Sequence, residues 1–181
     1  MDSRTKLQRW HKMIPLKPIT VLKKIHDDLK DRDVNWVVVG SLGLALRGIS
    51  LEPYDIDIMT DRRGAYEMQR IFSKFVTKPI ALRTSEKIQS HFGSLEIDGV
   101  KVEIMGDFQI RLPDGTWESP VNLEVFKETA SVEGMQVPVL SLEFEYRANL
   151  KLGRTDKAEM IRKRITSETP SGTPHGKTHR E

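Results

Sequence analysis

Apolar positions recur at helical spacing in several separate segments of the chain. Spacings of three or four residues predict helices over 19–33, 42–48, 68–75 and 142–152, and from 155 onward. Ser141 and Thr155 stand where helices begin, and Gly48 and Gly153 stand where helices end. The pattern therefore predicts helices in both halves of the chain.

Between these helices the apolar and polar positions alternate or form short apolar runs, which predicts strands. The predicted strands cover 36–39, 55–58, 78–84, 94–98, 100–104, 107–112, 122–126 and 129–139. Tight turns are predicted at Asp98-Gly99 and Glu133-Gly134. Helices and strands are mixed along the chain, so we expect an α+β fold with a small mixed sheet, helices on one side and a C-terminal helical segment.

The same pattern divides the chain into four parts. We expect an N-terminal arm over 1–18, a core over 19–140, C-terminal helices packed on that core over 141–166, and a disordered tail over 167–181. The tail is rich in Ser, Thr, Pro, Gly, His and Lys and offers few side chains that could pack.

Composition narrows the classes of function. The chain has 181 residues, no cysteine and a net charge of +3. Disulfides, thiolate zinc sites and cysteine nucleophiles are therefore excluded, and the five histidines show no metal-binding spacing. No apolar run approaches the roughly 18 residues of a membrane span, and no secretory signal is visible, so a cytoplasmic protein is expected. The charge is too small to indicate nucleic-acid binding by itself.

Candidate chemistry begins where the 36–39 strand meets a helix. This strand ends in Gly40-Ser41, and Ser41 is expected to cap the helix, whose N-terminus can hold phosphate. After a loop, Asp55 and Asp57 alternate with isoleucines, so both carboxylates share one strand face. Two carboxylates beside a phosphate-binding turn predict a site for a divalent metal and a nucleoside triphosphate.

A third carboxylate fits this site. Paired metal ions about 3.5–4 Å apart are a common device for displacing pyrophosphate, and three carboxylates suit such a pair. Glu103 alternates with buried-looking apolar residues and reaches the same surface if its strand lies beside that of Asp57. Glu96 is the competing candidate, but it lies nearer the outer arm of the predicted hairpin.

These residues resemble a known family. Gly40-Ser41, thirteen intervening residues, Asp55-Ile56-Asp57 and a later Glu103 are similar to the signature of DNA polymerase β-type nucleotidyltransferases. The resemblance covers residues 35–105. It implies the minimal nucleotidyltransferase fold, two Mg²⁺ (or Mn²⁺) ions bound by Asp55, Asp57 and Glu103, and a triphosphate held by Gly40 and Ser41.

The later helices resemble the C-terminal segment of small stand-alone prokaryotic members, including abortive-infection toxins and antibiotic-modifying enzymes. In some of these a lysine approaches the nucleotide phosphates, which implies that role for Lys151, with Arg154 beside it. Two departures stand out. The residues before Asp55 lack the arginine and threonine often found there, and the third acid is Glu rather than the commoner Asp.

The sequence leaves the acceptor and the oligomeric state open. We expect transfer of a nucleoside monophosphate from an NTP to a hydroxyl or phosphate acceptor, with no membrane partner. The alternative is a catalytically silent protein of the same fold that binds a nucleotide or a partner, as in toxin–antitoxin pairs. A nuclease or phosphatase fits less well, because such enzymes more often bring histidine or a denser acid cluster.

Overall fold

The computed structural model describes residues 14–168. Its six helices are α1 (Leu16–Leu29), α2 (Gly40–Leu46), α3 (Arg62–Ile71), α4 (Leu123–Phe126), α5 (Leu142–Lys151) and α6 (Thr155–Glu168). Its seven strands are β1 (Trp36–Val39), β2 (Ile56–Thr60), β3 (Val76–Thr84), β4 (Ile88–Ile97), β5 (Val100–Ile110), β6 (Lys127–Val132) and β7 (Met135–Leu140). No described helix is long and apolar enough to cross a membrane.

The strands form one mixed sheet in the order β3-β4-β5-β2-β1-β7-β6. Two pairs are parallel, β2 with β5 and β1 with β7, and the other neighbours are antiparallel. The sheet therefore confirms the expected α+β class. Its centre is built from β1, β2 and β5, the strands that carry the candidate residues.

Helices cover the two faces of the sheet in two groups. One face packs against α1, α2 and α3 in the larger core, which includes the fully buried Ile56 and Ile58 of β2. The opposite face carries Val37 and Val39 of β1, against which Phe144 of α5 packs. The expected arrangement, with helices on one side and a separate C-terminal helical segment, is confirmed.

Four of the predicted strands are wrong in their extent or type. The segments 100–104 and 107–112 are one continuous strand, β5, because Asp107 takes a positive φ of 50° and forms a bulge without ending the strand. The segment 122–126 is the single helical turn α4, capped by the Asn122 side chain, which accepts a hydrogen bond from Glu124 N at 3.1 Å. The sequence also places the start of β4 six residues too late.

The ends of the fold differ slightly from the predicted limits. Helix α1 begins at Leu16, inside the predicted arm, because Pro18 lies in the first turn, where its missing N–H needs no helical partner. Helix α6 runs to Glu168, two residues into the predicted tail. The rest of the arm (1–13) and of the tail (169–181) lies outside the described residues.

Candidate active site

The candidate carboxylates lie on the sheet face that α5 covers in part. Asp57 of β2 and Glu103 of β5 are directly paired neighbours in the parallel ladder, and both are half-buried. Asp55 lies two residues before Asp57, at the bend that leads into β2. Glu96, the competing candidate, is exposed and pairs with Lys101 one strand farther from β2. The structure thus brings Asp57 and Glu103 side by side.

The environment of Asp57 disfavours its charged form. Its pKa is raised to about 7, chiefly by burial and then by the nearby negative charges of Asp55, Glu103 and Glu145. Lys157 of α6 acts in the opposite direction and lowers this pKa. The site therefore holds more negative charge than its own cations balance, which is the condition that favours binding of an external cation.

A lysine compensates part of this negative charge. The ammonium group of Lys101 contacts the carboxylate of Glu103, two positions along the same strand. This hydrogen bond raises the pKa of Lys101, and the charges of Asp55 and Asp57 contribute to the shift. Lys101 is exposed, so its side chain can leave Glu103 at little cost.

The three carboxylates do not by themselves enclose a cation position. Among residues 14–168, no group of three or more His, Cys, Asp or Glu side chains is arranged to hold a metal ion. Their donor type nevertheless suits Mg²⁺, which is usually bound by one or two carboxylates together with substrate phosphates rather than by an all-protein cage. The residues present fit a metal that arrives with a nucleotide.

The turn between β1 and α2 packs tightly on Asp57. Gly40 has a φ of +66°, and a Cβ at this position would collide with the Asp57 carboxylate. Helix α2 begins at Gly40, with extended Val39 at its N-cap, and no side chain caps it. The expected cap by Ser41 is therefore wrong, because Ser41 already lies within the first helical turn.

A cavity of about 180 Å³ lies among β1, β2, β5, α5 and the start of α6. Its apolar wall includes Met59, Met105, Phe108, Leu140, Phe144 and Leu152. Its polar and glycine lining consists of Gly40, Asp57, Glu103, Glu145, Asn149, Arg154 and Lys157. The cavity therefore combines an apolar interior with a concentrated set of charges.

A buried carboxylate from α5 connects the C-terminal helices to the turn after β1. Glu145 is 9% exposed and accepts a hydrogen bond from Gly40 N at 3.3 Å. Burial raises its pKa, whereas Lys157, the Gly40 N–H and Arg154 counteract this shift. Glu145 therefore occupies the backbone donor of Gly40 and faces the two cations of α6 and its preceding loop.

The structure separates the two basic residues singled out from the sequence. Arg154 lines the cavity, but Lys151 pairs with Glu118 and lines a different surface depression with Lys87 and Arg111. Lys157, which sequence reasoning did not select, lines the cavity instead. Helix α5 ends and the chain turns at Gly153, so Lys151 and the later cations point to different sites.

Sequence reasoning also missed Glu145 and Asn149. Both are buried on the same stripe of α5 as Leu142, at positions where an amphipathic helix places apolar residues. Their polar side chains in an otherwise apolar stripe could have identified them from the sequence. A buried polar side chain needs a specific partner, so such a position is a candidate for the site.

Known proteins share this architecture. A family model of aminoglycoside-2''-adenylyltransferases matches residues 21–162. A crystal structure of a proposed nucleotidyltransferase from Thermotoga maritima is 57% identical, with a TM-score of 0.76 over 86% of this chain and 96% of its own. No curated protein matches the chain significantly.

Two antibiotic-modifying enzymes share the fold at low sequence identity. The lincosamide antibiotic adenylyltransferase LnuA, with lincomycin bound, is 13% identical, with a TM-score of 0.50 over 82% of this chain and 97% of its own. ANT(2'')-Ia in complex with adenylyl-2''-tobramycin is also 13% identical, with a TM-score of 0.55 over 83% of this chain and 90% of its own. The resemblance to nucleotidyltransferases is thereby confirmed, and the chain belongs to the aminoglycoside-2''-adenylyltransferase family of nucleotidyltransferases.

Proposed function

We propose that this nucleotidyltransferase depends on a divalent metal and moves a nucleoside monophosphate from an NTP to a hydroxyl or phosphate acceptor. The observation that carries the proposal is the pairing of Asp57 with Glu103 across β2 and β5, with the Gly40 turn packed against Asp57. This pairing supports a site in which carboxylates would bind a metal next to a backbone turn that would bind phosphate. Nucleotidyl transfer would need both the metal-binding carboxylates and the phosphate-binding turn.

Asp55, Asp57 and Glu103 would hold Mg²⁺ or Mn²⁺, as two ions when the nucleotide is bound. Their charge is only partly compensated, and their oxygen donors are those that Mg²⁺ prefers. The bound metal would neutralise the charge that develops on the attacking and leaving oxygens. Lys101 would release Glu103 as the metal takes over its charge.

The chain's own residues would position the reacting groups. Glu103, which lines the cavity, would orient the acceptor and take its proton as the acceptor oxygen bonds to the α-phosphorus. The bond between the α-phosphorus and the bridging oxygen would break, and pyrophosphate would leave with that oxygen. Atoms and charge balance without any further reactant.

Gly40 and Ser41 would hold the triphosphate once Glu145 has released the Gly40 N–H, with help from cations at the cavity. Arg154 and Lys157 line the cavity that contains Gly40, so they are suited to neutralise pyrophosphate as it forms. Lys151 is not included in this role, because it is paired with Glu118 outside the cavity. The phosphate-binding lysine in this proposal is therefore Lys157.

The position of a radioactive label tests the reaction. Full-length protein is incubated with Mg²⁺, each of the four NTPs labelled at the α-phosphate, and a pool of cellular RNA and metabolites. We expect the label to be transferred to an acceptor, and we expect Asp57→Ala and Glu103→Ala to reduce transfer by more than ~10²-fold. Glu96→Ala is the matched control, because Glu96 is an exposed strand carboxylate outside the cavity.

Other outcomes would point elsewhere. In a parallel incubation with γ-labelled NTPs, movement of that label without transfer of the α-label would indicate a kinase or phosphatase. Tight NTP binding without transfer of either label would favour the silent nucleotide-binding protein. Transfer that persists at full rate with EDTA would contradict the metal dependence.

A further inference from the structure

The sheet face that carries Glu103 continues beyond the cavity onto β4 and β3. Across the ladder, Glu103 of β5, Ser94 of β4 and Lys78 of β3 lie in one row. Neighbouring strands are about 4.8 Å apart, so the backbones of Glu103 and Lys78 are separated by roughly 10 Å. This outer part of the face, the β3–β4 surface, comprises Lys78, Arg83, Phe92 and Ser94.

Two cations of the β3–β4 surface are held in place by neutral groups. The ammonium group of Lys78 lies 5.0 Å from the centre of the Phe92 ring, in a cation–π contact. Arg83 donates from Nε to the backbone oxygen of Phe92 at 3.3 Å. Among residues 14–168, neither Lys78 nor Arg83 forms an ion pair with a carboxylate. Both positive charges are therefore available to an external anion.

The β3–β4 surface lies on the same side of the sheet as the cavity and is open to solvent. Phe92 pairs with Met105, which lines the cavity, so Lys78 over the Phe92 ring lies on that side. Arg83 pairs with Ser90, two positions from Phe92, and strand alternation places it on the same side. Lys78 and Arg83 are exposed, whereas α5 packs on the sheet around β1.

The strand order separates this surface from the proposed phosphate-binding turn. Gly40 follows β1, whereas β4 and β3 lie on the far side of β2 and β5. A nucleotide held at Gly40 would therefore leave the β3–β4 side of Glu103 open to the second reactant. Glu96 and Lys101 are in register toward the β4–β5 turn, outside the surface, and their charges offset each other there.

We infer that the β3–β4 surface binds the acceptor and that the acceptor is a small phosphate ester with a hydroxyl group. A phosphate held between Lys78 and Arg83 would bring a hydroxyl of the same molecule toward Glu103, which would take its proton. A cationic acceptor would face like charge and bind weakly. The net charge of +3 for the whole chain favours a small anion over a nucleic acid. The inference rests on the proposed function, because it assumes that Glu103 orients the acceptor.

Binding of three matched sugars tests this inference without any transfer step. Glucose 6-phosphate, glucose and glucosamine offer similar hydroxyl groups and carry a negative charge, no charge and a positive charge. Each is titrated into the isotope-labelled full-length protein with Mg²⁺ and α,β-methylene-ATP, which resists cleavage at the α-phosphate, and the NMR shifts of backbone amides are followed. We expect saturable shifts over 77–83 and 90–94 with glucose 6-phosphate, and an affinity at least about tenfold higher than for glucose or glucosamine.

Charge variants locate the effect. Lys78→Glu and Arg83→Glu should each weaken glucose 6-phosphate at least about tenfold, and together they should make glucosamine the better ligand. A loss of structure alone would not reverse this preference. Lys78→Arg keeps the charge and should stay within about threefold of the unmodified protein. Lys23→Gln is the matched control, because Lys23 is exposed on α1, which packs on the other face of the sheet.

Each contrary result has a distinct meaning. Shifts confined to the Gly40 turn and the cavity, or equal affinities for the three sugars, would overturn the inference. A single-stranded RNA of about ten nucleotides that shifts the same amides and binds more than about tenfold more tightly than glucose 6-phosphate at about 150 mM salt would assign the surface to nucleic acid instead.

The labelled-phosphate test separates this inference from the proposed function. Binding of glucose 6-phosphate at the β3–β4 surface without α-phosphate transfer to any acceptor would support the surface and contradict the proposed reaction. Transfer of the α-label by a protein whose β3–β4 surface binds none of the three sugars would support the reaction and overturn the inference alone.

Discussion

Among single residues, Asp57 has the clearest dependence on pH. Burial, together with the neighbouring carboxylates, raises its folded-state pKa from 3.8 to about 7, so between pH 4 and 7 the native protein keeps a proton that the unfolded chain has lost. This carboxylate therefore lowers the free energy of unfolding as the pH rises through that window, by up to about 4 kcal/mol, and the loss is complete above pH 7.

Asp57→Asn should remove this contribution. We expect the stability difference between Asp57→Asn and the unmodified protein to grow in favour of the variant from pH 4 to 7. Urea denaturation at several pH values, without divalent metal, measures it. Glu96→Gln, at an exposed strand position, is the control and should show little change with pH. A pH-independent difference for Asp57→Asn would contradict the raised pKa.

Gly40 combines a left-handed backbone conformation with close contact to the Asp57 carboxylate of the candidate site. Gly40→Ala would place a Cβ against the Asp57 carboxylate in a left-handed conformation. We expect it to lower the free energy of unfolding by more than about 2 kcal/mol, since the conformation alone costs about 1–2 kcal/mol. Gly134→Ala, with a φ of +81° and nothing near the added Cβ, should show only the conformational cost in the same urea titrations. An equal loss of free energy of unfolding in Gly40→Ala and Gly134→Ala would mean that the Asp57 side chain moves away from the added Cβ without cost.

At the scale of secondary-structure elements, the join between α5 and α6 decides which cations face the site. Lys157 lines the cavity, whereas Lys151 is paired with Glu118 outside it. We expect Lys157→Met to weaken NTP binding about tenfold, because a charge-assisted contact to phosphate is lost. Lys151→Met should change the affinity little. Calorimetric titration of both variants with NTP makes the comparison. A larger loss of affinity in Lys151→Met than in Lys157→Met would support Lys151 as the phosphate-binding lysine, as expected from the sequence.

The strands show why the residues at which an element begins and ends were harder to predict than the presence of the element. Burial alternates along all of β5, but the non-polar run Ile104-Met105-Gly106 interrupts the alternation of polarity in the sequence, and Asp107 with its positive φ forms a bulge there. The bulge is stable because the Asp107 carboxylate accepts the Arg62 N–H at 2.9 Å, at the start of α3. A contact between residues 45 positions apart therefore decides whether the strand continues.

Over the whole molecule, metal and nucleotide should stabilise the native state together. Ligand that binds only the folded protein adds about 2.7 kcal/mol when present at 100 times its Kd. For a domain of this size, that corresponds to a rise in Tm of roughly 5–10 °C. We expect Mg²⁺ or Mn²⁺ with NTP to produce such a rise in thermal melts, and Asp57→Asn to abolish its metal-dependent part. An unchanged rise in Asp57→Asn would place the metal elsewhere.

The sequence by itself determined the fold class and the local geometry of the candidate residues. Alternation along a strand requires Asp55 and Asp57 to oppose the buried Ile56 and Ile58. Helical periodicity and the cap at Ser141 place α5 correctly, with the Ser141 side chain accepting the Phe144 N–H at 3.3 Å. These features depend on neighbours within a few positions, so short patterns contain them.

Only the tertiary structure decided which distant residues meet. The parallel register of β2 and β5 sets Glu103 rather than Glu96 beside Asp57. The packing of α5 and α6 on the sheet brings Glu145 and Lys157 to the same cavity and leaves Lys151 outside. Strand order and helix docking are set by the burial of many apolar side chains at once. No local pattern in the chain specifies that sum, so the places of Glu145, Lys157 and Lys151 relative to the site could be assigned only from the folded protein.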